Sequence, residues 1–465
     1  MRVGITDSPL SQRRFHGLGV QADAYIYDNV NREAGVTGDD LGMLERRLRA
    51  LRPAVARLFV EVPWFNPGLD GATFHWDNPG YVNLVRQLRL LQGLAAEVNL
   101  VLFLPMFPAV AQMTPVVRAM IALLERLAAA EGIRAVRWLT LWNEPDSIFP
   151  HASPLSRRIF GEEQLRTRPP WSEYVRVNQE AYALLGERGL YPQIRLLVAD
   201  CVWGGPLRAE RMQLSLESFR DLDVDYSYHN YNPEDLAFYR GKPDYAYEGM
   251  TREAAAFRRL LGPERQLMLW EFNTPGIAGF HSHFLGVGPA GVDRVSSIEG
   301  AVELTDKVLL AAAAGVDGFC LWCLHDMLYC GNAKSGLMYC GLWRGKQQGW
   351  RPRPIYHYYA ALMQAFRPGT RLLRTTGGGR SVSALAGDGT DSRVVALLNR
   401  GARRVRIDLT LTPAQGWRRE RIYPEILPAA ADLPASAGES VASAAGEPLR
   451  LTLEPAELTI LQGKP

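Results

Sequence analysis

Across residues 15–366 the chain repeats one pattern, a short apolar run followed by a stretch with helical apolar spacing. The apolar runs are Phe15–Ala24, Val55–Val62, Val98–Leu104, Arg134–Trp142, Ile194–Ala199, Val224–Tyr231, Gln266–Phe272 and Val316–Leu324. They are rich in β-branched and aromatic residues and have the length of strands buried on both faces. Between them lie helical stretches such as Asp39–Leu51, where Leu41, Leu44, Leu48 and Leu51 share one face and Pro53 follows. Others run about Tyr81–Leu94, Pro115–Glu131, Trp171–Leu185, Arg252–Leu261, Ser297–Ala314 and onward from Pro354. Parallel strands joined by right-handed crossovers close most economically, after eight units, into a (β/α)8 barrel of the TIM type. In the first strand, Gly17 and Gly19 allow close backbone approach.

Two connections stand out within residues 15–366. Phe149–Pro170 is longer than an ordinary strand-to-helix connection and is expected to be a substrate-side loop. The glycine-rich segment 276–292, with His281 and His283, is expected to cover the site.

After Pro368 the pattern changes. Helical spacing gives way to short alternating runs, SVSALAG, RVVALLN, RVRIDLTL, LRLTLE and LTILQ, separated by turn residues. This predicts a C-terminal β-sandwich over 367–465. Val3 and Ile5 alternate with polar residues, so residues 1–14 are expected to supply a strand that joins it. Pro424–Pro448, rich in Ala, Ser and Pro, reads as a loose loop.

Charge narrows the function classes. The 52 basic residues nearly balance 49 acidic ones, for a net charge of +3, so nucleic acid is not an expected partner. The longest apolar runs, such as Val308–Val316, fall short of the roughly 20 residues that cross a bilayer, so no membrane partner is expected either. The opening residues lack the apolar core of a secretory leader. The expectation is a cytoplasmic protein, with a secreted mature form left open.

The chemistry gathers at strand tips. Arg134–Trp142 reads RAVRWLTLW and is followed at once by Asn143, Glu144 and Pro145. Proline cannot donate to a ladder, so it is expected to end the strand and leave the amide and carboxylate at its C-terminal tip. A surface turn would also bring Asn, Pro and Asp together. It would not explain why Gln266–Phe272, QLMLWEF, carries Glu271 in the same way, directly after a tryptophan. Two glutamates at two strand tips of a parallel barrel are the parts of a two-carboxylate glycosidase.

On these motifs the chain resembles the retaining glycoside hydrolases of clan A, closest to families 39, 30 or 5. Their acid/base lies in an Asn-Glu-Pro ending the fourth strand, and their nucleophile is a glutamate ending the seventh. The resemblance implies Glu144 as acid/base and Glu271 as nucleophile, with an oligosaccharide, polysaccharide or glycoside as substrate and no cofactor. It further implies Arg57 beside the nucleophile, His229 near the acid/base and Tyr231 bonded to the nucleophile. Asn143 would hold the sugar 2-hydroxyl, and Trp322 would form a platform beneath the sugar. One departure is the third strand tip, LPMFP, which lacks the histidine found in members nearest to cellulases. Trp64, Trp203 and Trp270 are weaker candidates, Trp142 reads as core, and His325 is a further candidate for the pocket.

Two other classes compete. A barrel that binds sugar without cutting it would accommodate the fold, but both glutamates are present. A metal-dependent hydrolase would want histidines at the first and fifth strand tips, whereas His16 precedes its tip and the fifth strand ends in Asp200. Cys320, Cys323, Cys330 and Cys340 lie close in sequence, yet Cys320 and Cys323 would point to opposite faces of a strand. They are expected to be buried thiols rather than metal ligands.

Overall fold

In a computed structural model of the chain, the eight apolar runs become eight parallel strands. The structure describes residues 1–103, 110–149, 151, 153–202, 205–231, 243–273, 294–329, 339–411, 416–428, 436–442 and 447–463. The expected cover at 276–292, the LPMFP tip at 104–108, Trp203, His281, His283 and Cys330 lie outside these residues.

A first strand, β1 (Arg2–Pro9), precedes the barrel. The barrel strands are β2 (Gly17–Gln21), β3 (Val55–Val60), β4 (Glu97–Leu102), β5 (Val136–Thr140), β6 (Arg195–Cys201), β7 (Asp225–Asn230), β8 (Leu267–Phe272) and β9 (Gly318–Leu321). Each pairs in parallel with the next, and β9 returns to β2 to close the ring. Gly19 is required where β2 meets β3, because a Cβ there would stand 1.7 Å from the Val55 carbonyl oxygen. Inside the ring, Val55, Trp138, Leu197, Met268, Trp270 and Cys320 form a filled layer, with Trp138 and Trp270 edge to face at 5.4 Å. The barrel is a packed core, and its working surface is the rim at the strands' C-terminal ends.

The longer helices among the described residues are α1 (Gly38–Leu51), α2 (Pro79–Gln92), α3 (Val110–Ala129), α4 (Pro154–Thr167), α5 (Trp171–Glu187), α6 (Gly205–Ser218), α7 (Pro243–Leu261), α8 (Ile298–Ala313) and α9 (Pro354–Ala365). α6 was not anticipated and α7 begins before the expected Arg252, and two other helices also depart from expectation. α3 begins before Pro115, which falls in its second turn and removes one ladder bond near the helix start, where the disruption is smallest. Phe149–Pro170 is not simply a loop: it contains α4, in two helical pieces meeting at Gly161 with φ of 75°. Its sequence, PLSRRIFGEEQLRT, has no apolar stripe, so periodicity could not reveal it.

The C-terminal strands are β10 (Arg371–Gly377), β11 (Val382–Asp388), β12 (Arg393–Asn399), β13 (Val405–Thr410), β14 (Trp417–Ile422), β15 (Ala437–Val441), β16 (Leu449–Leu453) and β17 (Leu458–Gly463). With β1 they form one nine-stranded mixed sheet in the order β15-β14-β17-β12-β11-β10-β1-β13-β16. β1 runs antiparallel to β10 and parallel to β13. The sheet curls so that Val3, Ile5, Val395, Leu397, Ile407, Leu451 and Leu461 share one core, which gives it its sandwich-like character. The alternate residues Val394, Ala396 and Leu398 turn the other way into the barrel's core. The period of two along β12 thus buries both faces, one in each core. β15 lies inside the stretch read as a loose loop, because its AGESV sequence has little strand character by composition.

Polar contacts fix the sheet to the barrel. Asp306 of α8 pairs with Arg400 at 3.2 Å and accepts the Ser383 hydroxyl, and the Tyr358 hydroxyl donates to the Ala456 carbonyl at 2.6 Å. Among the described residues no helix is long and apolar enough to cross a membrane.

Candidate active site

Strict alternation along the barrel strands would send several functional side chains outward. Met268 and Trp270 both face the interior, so Glu271 should face the helices. The ladders correct this with inserted residues. Leu269 to Phe272 of β8 spans the same length as Phe319 to Leu321 of β9. Ala199 to Cys201 of β6 likewise lies opposite only Ser227 to Tyr228 of β7. Such bulges re-aim side chains at barrel rims, and here they bring Asp200 and Glu271 into the mouth.

Beyond β5 the backbone turns through left-handed conformations, with φ of 73° at Trp142 and 51° at Glu144. Ala199 and Asp200 share this conformation, at 76° and 43°. Left-handed non-glycine residues cost roughly 1–3 kcal/mol each and persist where surrounding contacts over-determine them. The strand therefore ends at Thr140, before Pro145, and it is the two left-handed residues that break it. Pro145 instead opens a one-turn helix, Pro145–Ile148. The Asn143 N–H is tied to the Leu102 carbonyl at the end of β4.

All seven sequence-derived candidates meet at this rim. Arg57, fully buried in β3, is the hub. Its Nη1 donates to Glu271 and to Gln21 Oε1 at 2.6 Å, and its Nη2 donates to Asn143 Oδ1 at 2.6 Å and Asp200 Oδ2 at 3.0 Å. The Tyr231 hydroxyl donates to Glu271 Oε2 at 2.8 Å. His229 Nδ1 lies 3.1 Å from Glu144 Oε1 and 3.6 Å from Glu271 Oε2, while its Nε2 lies 3.0 Å from Asp200 Oδ1. Trp322 meets Tyr231 edge to face at 5.8 Å. From there an aromatic row continues through Tyr329 and Tyr25 to the half-buried Trp64, with centroids 6.3, 4.7 and 5.4 Å apart.

Burial makes these charges interdependent. Taking an ion out of water costs several kcal/mol. Opposite charges 3 Å apart at an effective dielectric of about 20 return about 5 kcal/mol. No ion here would persist without its partner. Burial pushes the Glu144 carboxyl up to about 7; the His229 contact opposes that rise, and the nearby Glu271 and Asp146 charges add to it. Burial works against charge on His229, but the Asp200 and Glu271 carboxylates outweigh it and hold the ring up at about 10. For Asp200, burial is likewise overcome, by His229 and Arg57, and its carboxyl is held well below the usual range. Glu144 keeps 16% of its side chain exposed toward the cleft.

Several members of this cluster are absent from the sequence-derived set. Gln21 bridges Arg57 to a further carboxylate by donating to Asp23 Oδ2 at 2.8 Å, and Asp23 also accepts the Tyr329 hydroxyl and the Phe59 N–H. Burial pushes Asp23 up to about 6 against these bonds. The weaker candidates separate. Trp270 belongs to the barrel interior rather than the rim, and Trp142 packs on Phe149 as core. His325 is buried against Trp350, and burial lowers it to about 4. Cys320, Cys323 and Cys340 are buried free thiols. Among the described residues, Glu144, His229 and Glu271 have ligand atoms within 4.8 Å of one another, close enough to hold a metal. The Arg57 guanidinium already on Glu271 and the cationic His229 would both repel such an ion.

No protein-family model matches the chain, and no curated protein matches it. Solved structures do. A GH30 endoxylanase from Clostridium papyrosolvens C71 is similar over 100% of both chains, with 11% identity and a TM-score of 0.65. The catalytic domain of GH30 xylanase C from Talaromyces cellulolyticus is similar over 99% of each chain, with 11% identity and a TM-score of 0.66. An α-L-arabinofuranosidase from Thermotoga maritima is similar over 100% of this chain and 99% of its own, with 12% identity and a TM-score of 0.59. These are clan A glycoside hydrolases, so the resemblance drawn from two glutamate motifs extends to the whole architecture. At such identities what is shared is the fold.

Proposed function

We propose that this chain is a retaining β-glycoside hydrolase acting on a glycan or glycoside, with Glu271 as nucleophile and Glu144 as acid/base. One observation carries the reading. Carboxylate oxygens of Glu144 and Glu271 lie within 4.8 Å of each other. Retaining pairs stand about 5–5.5 Å apart, whereas inverting pairs need about 6.5–9.5 Å to admit a water.

The surroundings suit those roles. Glu271 accepts from Arg57 on one oxygen and Tyr231 on the other, contacts suited to a carboxylate anion. Glu144, held near 7, carries a proton to donate at neutral pH and can lose it afterwards. In the first step a Glu271 oxygen bonds to the anomeric carbon, the glycosidic bond breaks, and the Glu144 proton passes to the departing oxygen. In the second, Glu144 takes a proton from water, the water oxygen bonds to the anomeric carbon, and Glu271 leaves as a carboxylate. Asn143 has its Oδ1 occupied by Arg57, which leaves the amide N–H groups as the donors it can offer a sugar 2-hydroxyl. Within the row, Trp322, Tyr329 and Tyr25 are buried, and the half-buried Trp64 at its end offers ring surface for a sugar face.

The test is a panel of aryl β-glycosides, xylans and β-glucans. Turnover is expected on at least one, with Glu271→Ala reduced by about a thousandfold or more. Folded protein that turns over no β-linked substrate, or a Glu271→Ala variant of undiminished rate, would overturn the reading.

A further inference from the structure

We propose that Asp200 is a positioning residue for the acid/base step, holding His229 as a fixed hydrogen-bond donor toward Glu144; this rests on the hydrolase reading above. Asp200 is the inserted residue of β6, completely buried and in a left-handed conformation. Its Oδ1 accepts the Ser227 hydroxyl at 2.7 Å and lies 3.0 Å from His229 Nε2, while its Oδ2 takes Arg57 Nη2 at 3.0 Å. On the far edge of the same ring, Nδ1 lies 3.1 Å from Glu144 Oε1. One imidazole thus stands between Asp200 and the group assigned to donate the proton.

Two proton placements satisfy the Glu144–His229 contact. In one, the Glu144 hydroxyl donates to a bare Nδ1, and the proton meant for the leaving group is held by the histidine. In the other, an Nδ1–H donates to Glu144, and the Glu144 proton stays on the carboxyl, available to the cleft. The second needs both ring nitrogens protonated. A carboxylate at Nε2 favours it.

Charge balance points the same way. The groups facing His229 are Glu144 beyond β5, Asp200 of β6, Glu271 of β8 and Arg57 of β3 by way of Asp200, with Tyr231 two residues on and Arg208 of α6 on its carbonyl. With Glu144 protonated, Arg57 and His229 as cations balance Glu271 and Asp200 as anions. Without the Asp200 charge, the ring loses its nearest carboxylate, at 3.0 Å, and its second proton is held less tightly. Although burial opposes it, the Asp200 and Glu271 charges hold the ring up at about 10, consistent with that count.

The experiment is ring NMR of histidine-labelled protein from pH 5 to 11, with the His229 signal identified by its loss in His229→Asn. Wild-type His229 is expected to be cationic at neutral pH and to titrate only near 10. In Asp200→Asn its midpoint should fall by about two units or more, and Ser227→Ala should move it the same way by less. The basic limb of kcat/KM should move to higher pH in Asp200→Asn, because losing the neighbouring cation raises Glu144. A merely structural Asp200 would leave the ring's titration unmoved in folded variants. Wild-type His229 neutral at pH 7 would overturn the proposal, as would an unshifted ring in both variants. The NMR arm needs no substrate, so it tests the role of Asp200 even in a protein that cleaves no glycoside, and the hydrolase reading stands or falls on the substrate panel.

Discussion

Replacing Glu144 by glutamine should stabilise the protein in a pH-dependent way. The carboxyl titrates at about 7 in the folded chain against 4.5 for an ordinary glutamate, a gap of 2.5 pH units caused first by burial. At 1.36 kcal/mol per unit this is about 3 kcal/mol. The sign follows from the direction. A raised carboxyl pKa means that the unfolded chain releases the proton first, so stability falls as pH rises from 4.5 to 7. The full cost of about 3 kcal/mol is present above pH 7 and absent below about 4. Glutamine keeps the shape and removes the charge, so it removes the cost. With about 2.1 cal/mol/K of unfolding entropy per residue over 465 residues, the melting entropy is about 1 kcal/mol/K. Glu144→Gln should therefore melt about 3 °C above wild type at pH 8.5 and level with it at pH 4. Scanning fluorimetry across that range measures the difference. A gain that is constant with pH, or that shrinks as pH rises, would refute the argument that burial holds this proton in place.

Two further outcomes follow from the site. Arg57→Lys should lower kcat/KM by about a hundredfold or more, because one ammonium cannot serve Glu271, Gln21, Asn143 and Asp200 with the geometry of a guanidinium; near-wild-type kinetics would remove Arg57 from its central place. On an aryl glycoside with an activated leaving group, azide should restore turnover to Glu144→Ala and give the β-glycosyl azide, while Glu271→Ala with azide should give the α-product. The opposite pairing of products would exchange the two roles.

How much was legible in the sequence depended on whether a residue's direction followed from simple period. The barrel was legible because eight apolar runs and all but one of their helical partners, α6, each show one spacing. Glu144 and Glu271 were legible as carboxylates at strand ends, and Arg57, Asn143, His229, Tyr231 and Trp322 through the family resemblance. Asp200 ends its strand in plain view, yet nothing in the residue order says that β6 carries an extra residue there and turns the side chain inward. Gln21 and Asp23 look like ordinary polar residues at a strand end, and become part of the site only once β2 lies beside β3. α4 and β15 were missed for a related reason: neither carries the apolar period of its element, so packing and pairing rather than local preference decide them.

The central claim is that two glutamates within 4.8 Å carry out a double displacement at the anomeric carbon. The most direct measurement is proton NMR of the sugar released from a cleaved β-glycoside in the first minutes, before mutarotation mixes the anomers. Two inversions, one at Glu271 and one by water, return the β-anomer first, with the α signal growing later. Initial release of the α-anomer would mean a single inversion by water, and would contradict a glycosyl–Glu271 intermediate.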